Sequence, residues 1–174
     1  MITTDRLFIS RMTPADAPFV RELLNSPPWL KYIGDRNIHS DADALAYLEE
    51  RMFPAYESSG LAGWRVALKE TDTPIGNCGF YHRDFLDHPD FGFAFLPEYL
   101  GKGYGFEAAR ACLDYGVTEY GITEVLAITQ EDNLASIGLL KKLGFQQDGM
   151  VTYPGEETEL MLFRLVLPDA KATT

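Results

Sequence analysis

The chain has 174 residues, 46% of them apolar, and a formal net charge of −11, a size suited to one domain that buries about 70% of its unfolded surface. No apolar run approaches the roughly 20 residues of a membrane span, and Met1-Ile2-Thr3-Thr4-Asp5-Arg6 lacks the basic start and apolar block of a signal peptide. The negative balance opposes nonspecific nucleic-acid binding, which relies on cations against phosphates, and favours a cationic acceptor such as an amine.

In chain order, residues 6–12 alternate as a strand, with Leu7 and Ile9 on one side and Phe8 on the other. Thr13-Pro14-Ala15-Asp16 supplies an N-cap, a proline at the first helical position and an acid in the first turn. That predicts a helix to about Leu24, which Ser26-Pro27-Pro28-Trp29 breaks. A second helix is predicted from Ser40 or Asp41, with Leu45, Leu48 and Met52 at helical spacing, stopping before Pro54. Strands at 64–69 and 75–81 flank the turn-forming Thr71-Asp72-Thr73-Pro74. A strand over 90–95 and a long helix ending near Tyr120 and Gly121 come next. A short strand at 125–129, a helix over 133–143 closed by Gly144, and strands at about 145–151 and 160–166 complete the order. Cys78 and Cys112 sit in regular elements as small buried hydrophobes, which fits a reducing cytoplasm. Residues 1–167 form one domain, and 168–174 read as a frayed tail.

The segment Pro97-Glu98-Tyr99-Leu100-Gly101-Lys102-Gly103-Tyr104-Gly105-Phe106-Glu107-Ala108-Ala109 carries the most chemistry. A strand feeding a glycine-rich turn feeding a helix gathers backbone N–H groups and the positive end of the helix dipole at one point. That is an anion site, and a pyrophosphate suits it. A dinucleotide fingerprint requires glycine at 106, where Phe stands; a P-loop requires Ser or Thr after Gly101-Lys102, where Gly103 stands.

What remains resembles the pyrophosphate loop of the GNAT acyltransferase superfamily. About 30 residues on, Gln130-Glu131-Asp132-Asn133-Leu134-Ala135-Ser136, leading to Leu143-Gly144-Phe145, resembles that superfamily's second signature. The opening Ile2-Thr3-Thr4-Asp5-Arg6-Leu7 resembles the branch that acetylates ribosomal-protein N-termini. The resemblance implies a single α/β domain. Its mixed, mostly antiparallel sheet of about seven strands is flanked by about four helices and splayed at the cofactor site.

It also implies an acetyl-CoA-dependent N-acetyltransferase. Direct attack in a ternary complex would acetylate a primary amine, first of all a protein N-terminal α-amine. A small amine (an aminoglycoside, polyamine or amino acid) and a non-catalytic acyl-CoA-binding module are the alternatives. The backbone of Phe95 and Leu96 would meet the pantetheine amides, and the N–H groups from Gly101 through Lys102, Gly103, Tyr104 and Gly105 to Phe106 the pyrophosphate. Asn133 would reach the pantetheine. Leu96 N–H would stabilise the oxyanion and Ser136 the leaving thiolate, since Leu140 stands where many members carry Tyr. Asp90 is the first candidate base, ahead of Glu156, Glu157 and Glu159. His82 and His88 show no metal-ligand spacing. The expected partner is the amine acceptor, with no nucleic acid, membrane or metal, in a monomer or homodimer.

Overall fold

The computed structural model describes residues 1–168; the rest of the tail expected to fray, 169–174, lies outside the described residues. One sheet holds β1 (Ile2–Thr3), β2 (Leu7–Ser10), β3 (Gly63–Leu68), β4 (Pro74–Tyr81), β5 (Asp90–Phe95), β6 (Glu124–Thr129), β7 (Gln146–Thr152) and β8 (Glu159–Val166). Their order is β1-β2-β3-β4-β5-β6-β8-β7, and every neighbouring pair is antiparallel except β5 with β6. The strand beyond the expected seven is β1, a two-residue edge that pairs Ile2 with Ile9 and Thr3 with Phe8. The predicted turn joins β3 to β4: Asp72 takes φ 55° and its N–H donates to the Leu68 carbonyl at 2.8 Å.

The helical elements are α1 (Ala17–Leu24), α2 (Pro27–Tyr32), α3 (Asp41–Tyr47), α4 (Phe53–Ser58), α5 (Tyr104–Tyr120) and α6 (Leu134–Leu143). Helix α1 ends at Leu24 as predicted; Pro27 and Pro28 then open α2 at its first positions, where the missing N–H has no helical partner to lose. One proline reading is corrected: the second helix does not stop before Pro54. A π turn over Leu48–Met52 carries α3 into α4, and Pro54 sits in the first turn of α4. The start of α3 is as predicted, with Ser40 and Asp43 exchanging bonds of 3.1 and 2.8 Å across a capping box.

Helix α5 packs on β1, β2, β4 and β5 and against α6, which lies on β6. Cys112 directs its thiol to the Cys78 carbonyl, both residues being buried and free. Alternate β-residues face the other side, where Arg65, opposite Asn77, pairs with Asp16 just ahead of α1 at 2.9 Å. Tyr56 of α4 donates to the Gly63 carbonyl at 2.5 Å there. Phe80, Phe91 and Phe163 are fully buried, each worth about 2 kcal/mol of apolar burial.

Candidate active site

The parallel strands β5 and β6 share a single paired position, Asp90 opposite Leu126, beside a 2.9 Å bond from Leu126 N–H to the Pro89 carbonyl. Past that point they part. Gly92, Phe93 and Ala94 are only half-buried although β5 is the fifth strand of eight, so the parting is an accessible gap. Both strands lead at their carboxyl ends into helices, α5 and α6, whose N-termini flank the same mouth. Ligands of α/β sheets bind at such a crevice.

At that mouth Gly101 and Gly103 adopt φ 71° and 83°, the left-handed region that a side chain disfavours. The first i→i+4 bond of α5 runs from Glu107 N–H to the Gly103 carbonyl at 3.1 Å. The N–H groups of Tyr104, Gly105 and Phe106 therefore have no helical partner and can bind an anion. Gly105 has another duty as well: a Cβ there would lie 3.3 Å from Leu139 of α6, so its smallness serves the contact between the two helices. Lys102 is exposed, with its ammonium 5.7 Å from the centre of the Tyr99 ring.

Arg6 and Thr4 reach this loop from the N-terminal hairpin, a contact that sequence reading misses. Arg6 Nη1 donates to the Lys102 carbonyl at 2.9 Å, and its Nε to Glu107 Oε2 at 2.7 Å. Thr4 Oγ1 and Arg6 N–H both donate to Glu107 Oε1, at 2.6 and 2.9 Å. Burial pushes the Glu107 carboxyl up, but these hydrogen bonds and the guanidinium outweigh it and hold the pKa below the ordinary value.

The Leu96 N–H is not available to an oxyanion: it donates to the Ile75 carbonyl at 2.9 Å. Successive strand residues point their backbone groups to opposite edges, so Leu96, Ala94 and Gly92 bond toward β4. Phe93 and Phe95 turn theirs toward the gap. The backbone of Phe95, expected to meet the pantetheine, thus faces the gap, as does that of Phe93, a residue the sequence reading passed over, whereas the Leu96 N–H does not.

Asn133 caps α6, its Oδ1 accepting the Ser136 N–H at 3.2 Å. Ser136 is half-buried in the first turn, and Leu140 is 1% exposed and part of the core. Helix α2 is tied to the turn ahead of α6: Lys31 pairs with Asp132 at 3.0 Å, and Gln130 donates to the Tyr32 carbonyl at 3.4 Å.

Asp90 is only 3% exposed, not a solvated strand end. Its carboxylate is bound by Arg83 Nε, and the nearby Ile128 backbone also favours the charged form. Burial pushes its pKa up while Arg83 pulls it down, with burial the larger effect. Arg83 also donates to the Tyr153 hydroxyl, and the Tyr153 ring packs 4.8 Å from that of Phe85. The segment after β4 and the β7–β8 loop therefore meet at the closed end of the gap. Glu156, Glu157 and Glu159 are exposed. A groove of about 1230 Å³ runs from Arg11 and Asp16 past Ser26 and Ile38 to Leu96 and Glu98, an open approach to the end of β5.

The family model described as an acetyltransferase (GNAT) domain matches residues 6–146. An uncharacterized N-acetyltransferase, YnaD of Bacillus subtilis (strain 168), is 32% identical over 149 residues, 85% of this chain and 84% of YnaD. Among solved structures, the ribosomal L7/L12 α-N-protein acetyltransferase RimL in complex with coenzyme A superposes at TM-score 0.81, with 12% identity over 94% of this chain and 96% of RimL. The aminoglycoside acetyltransferase AAC(6')-Ib in complex with coenzyme A superposes at 0.74, with 20% identity over 92% of this chain and 94% of that one.

Proposed function

The chain belongs to the GNAT acetyltransferase family and is an N-acetyltransferase; from that premise we propose that it carries acetyl from acetyl-CoA to a protein N-terminal α-amine by direct attack, donor and acceptor bound together. The gap and its mouth fit the donor. The free N–H groups at 104–106 and the left-handed Gly101 and Gly103 suit the pyrophosphate, with Lys102 alongside. Phe93 and Phe95 offer backbone groups to the pantetheine amides and to the acetyl oxygen. The side chain of Asn133 adds a polar group at the same mouth, and the Ser136 hydroxyl is assigned to the departing thiolate.

The acceptor reading is carried by one observation, the engagement of Asp90 with Arg83. Burial raises the Asp90 pKa, but a carboxylate 3% exposed and paired with the Arg83 guanidinium is not open to an incoming ammonium, and the alternative glutamates lie exposed. The amine then loses its proton to solvent before attack. An α-amine, with pKa near 8 against about 10.4 for lysine, reaches neutrality at a cost roughly 3 kcal/mol smaller. Asp90 is accordingly a positioning residue, fixing Arg83 and through it Tyr153.

The test is thiol release from acetyl-CoA over a panel of peptide N-termini, polyamines, aminoglycosides and amino acids. Peptide α-amines should give the highest kcat/KM. A polyamine or aminoglycoside turned over about tenfold better would overturn the acceptor. Acetyl-CoA binding without turnover on every acceptor would overturn the transfer itself.

A further inference from the structure

One arginine holds the cofactor loop from outside. Arg6 stands between β1 and β2, and besides its bonds to Lys102 and Glu107 its guanidinium lies 4.5 Å from the centre of the Tyr104 ring. We infer that Arg6 is a positioning residue for the donor's pyrophosphate, acting through the Lys102–Gly103 peptide and through Glu107. The inference rests on the assignment of this loop to acetyl-CoA.

The first route is the direction of one peptide plane. In a trans peptide the C=O and N–H point opposite ways. With the Lys102 carbonyl held at 2.9 Å on the hairpin side, the Gly103 N–H points away from the hairpin, to the uncovered side of the loop. Glycines with positive φ on both sides of Lys102 leave this stretch free to rotate, because no Cβ selects one orientation. A rotated peptide would present a carbonyl oxygen to the phosphates in place of a donor. The Arg6 bond opposes that rotation.

The second route is electrostatic. Glu107 lies in the first turn of α5, where its charge competes with any phosphate for the positive end of the helix. Arg6 and Thr4 occupy both of its oxygens, turning the carboxylate toward the hairpin and neutralising it. Without the guanidinium, an uncompensated anion would stand one helical turn from the pyrophosphate.

Neither route touches the acetyl group or the pantetheine arm, and that separates positioning from general support of the fold. The experiment compares acetyl-CoA with S-acetylpantetheine, which lacks the pyrophosphate and nucleotide, in the wild type, Arg6→Met, Arg6→Lys and Arg6→Met with Glu107→Gln. Binding of CoA and of pantetheine by calorimetry makes the same comparison without turnover. Arg6→Met should raise KM for acetyl-CoA about tenfold with kcat little changed, and the loss should exceed that on S-acetylpantetheine at least about fivefold. Arg6→Lys keeps the charge without the fork and should recover part of the loss, and the added Glu107→Gln about threefold of it. Equal losses on both donors, or an unchanged acetyl-CoA KM and CoA affinity in folded Arg6→Met, would overturn the inference. A wild type that neither binds CoA nor uses acetyl-CoA would instead overturn the assignment beneath it.

Discussion

Arg83 and Asp90 form an ion pair at the one position where β5 still pairs with β6, and the same guanidinium binds the Tyr153 hydroxyl. The residue best placed by sequence to act as a base is thereby engaged in holding two loops together.

That engagement predicts the shape of the pH–rate profile. With a peptide acceptor, kcat/KM should rise tenfold per pH unit up to the acceptor's own pKa, near 8. Asp90→Asn should lower the whole profile by a constant factor, keeping the same inflection. An inflection in the wild type well below the amine's pKa, absent from Asp90→Asn, would restore Asp90 as the base.

Ser136→Ala should reduce kcat by about 100-fold and leave acetyl-CoA affinity within about twofold, because a hydrogen bond to the thiolate strengthens only as charge develops. Single-turnover kinetics with calorimetry separates the two. A loss below about threefold would leave Ser136 as an ordinary residue of the first turn of α6.

The two loop glycines should fail differently. Gly103→Val places a branched side chain at φ 83° and against Arg6, whose Nη2 lies 3.2 Å from the built Cβ. Acetyl-CoA affinity should fall at least about tenfold, ~1.4 kcal/mol. Gly105→Val drives a side chain into Leu139 and should also lower the melting temperature, which calorimetric scans of both variants would show.

Glu107 gives a stability signature in acid. Its folded pKa lies below the ordinary value of 4.5, so its contribution is fully present above that pH and is lost as pH falls through the folded pKa. Glu107→Gln should flatten the acid limb of the urea-stability curve below about pH 4.5 relative to wild type. An unchanged limb would mean that the Thr4 and Arg6 bonds persist in the unfolded chain or are too weak to matter.

The parts of the site legible in sequence are those that local chemistry determines. Glycines at 101 and 103, the Asn133 cap and the Gly144 stop each follow from what one residue type permits at a helix end. Leu96 was misassigned because the facing of its N–H depends on the β4–β5 register, which no side chain within β5 announces. Arg6 and Glu107 are 101 residues apart, and a charge pair at that separation leaves no pattern in the chain. Pro54 reads as a stop but lies in the first turn of α4, because the same missing N–H either ends a helix or starts one.

Because β5 and β6 meet at one position only, the sheet is in effect two leaves, β1 to β5 and β6 to β8, joined along a short spine. Elsewhere in a sheet, separation of neighbouring strands is resisted by a full ladder of backbone bonds; here it is resisted mostly by the helices and loops packed around the seam. A ligand that bonds to the free backbone of both leaves acts as a staple across that seam. At a hundred times its dissociation constant such a ligand adds about 2.7 kcal/mol to the folded state. The amides flanking the seam, Phe93 and Phe95 on one leaf and the distal end of β6 on the other, are then the ones whose hydrogen exchange should slow first.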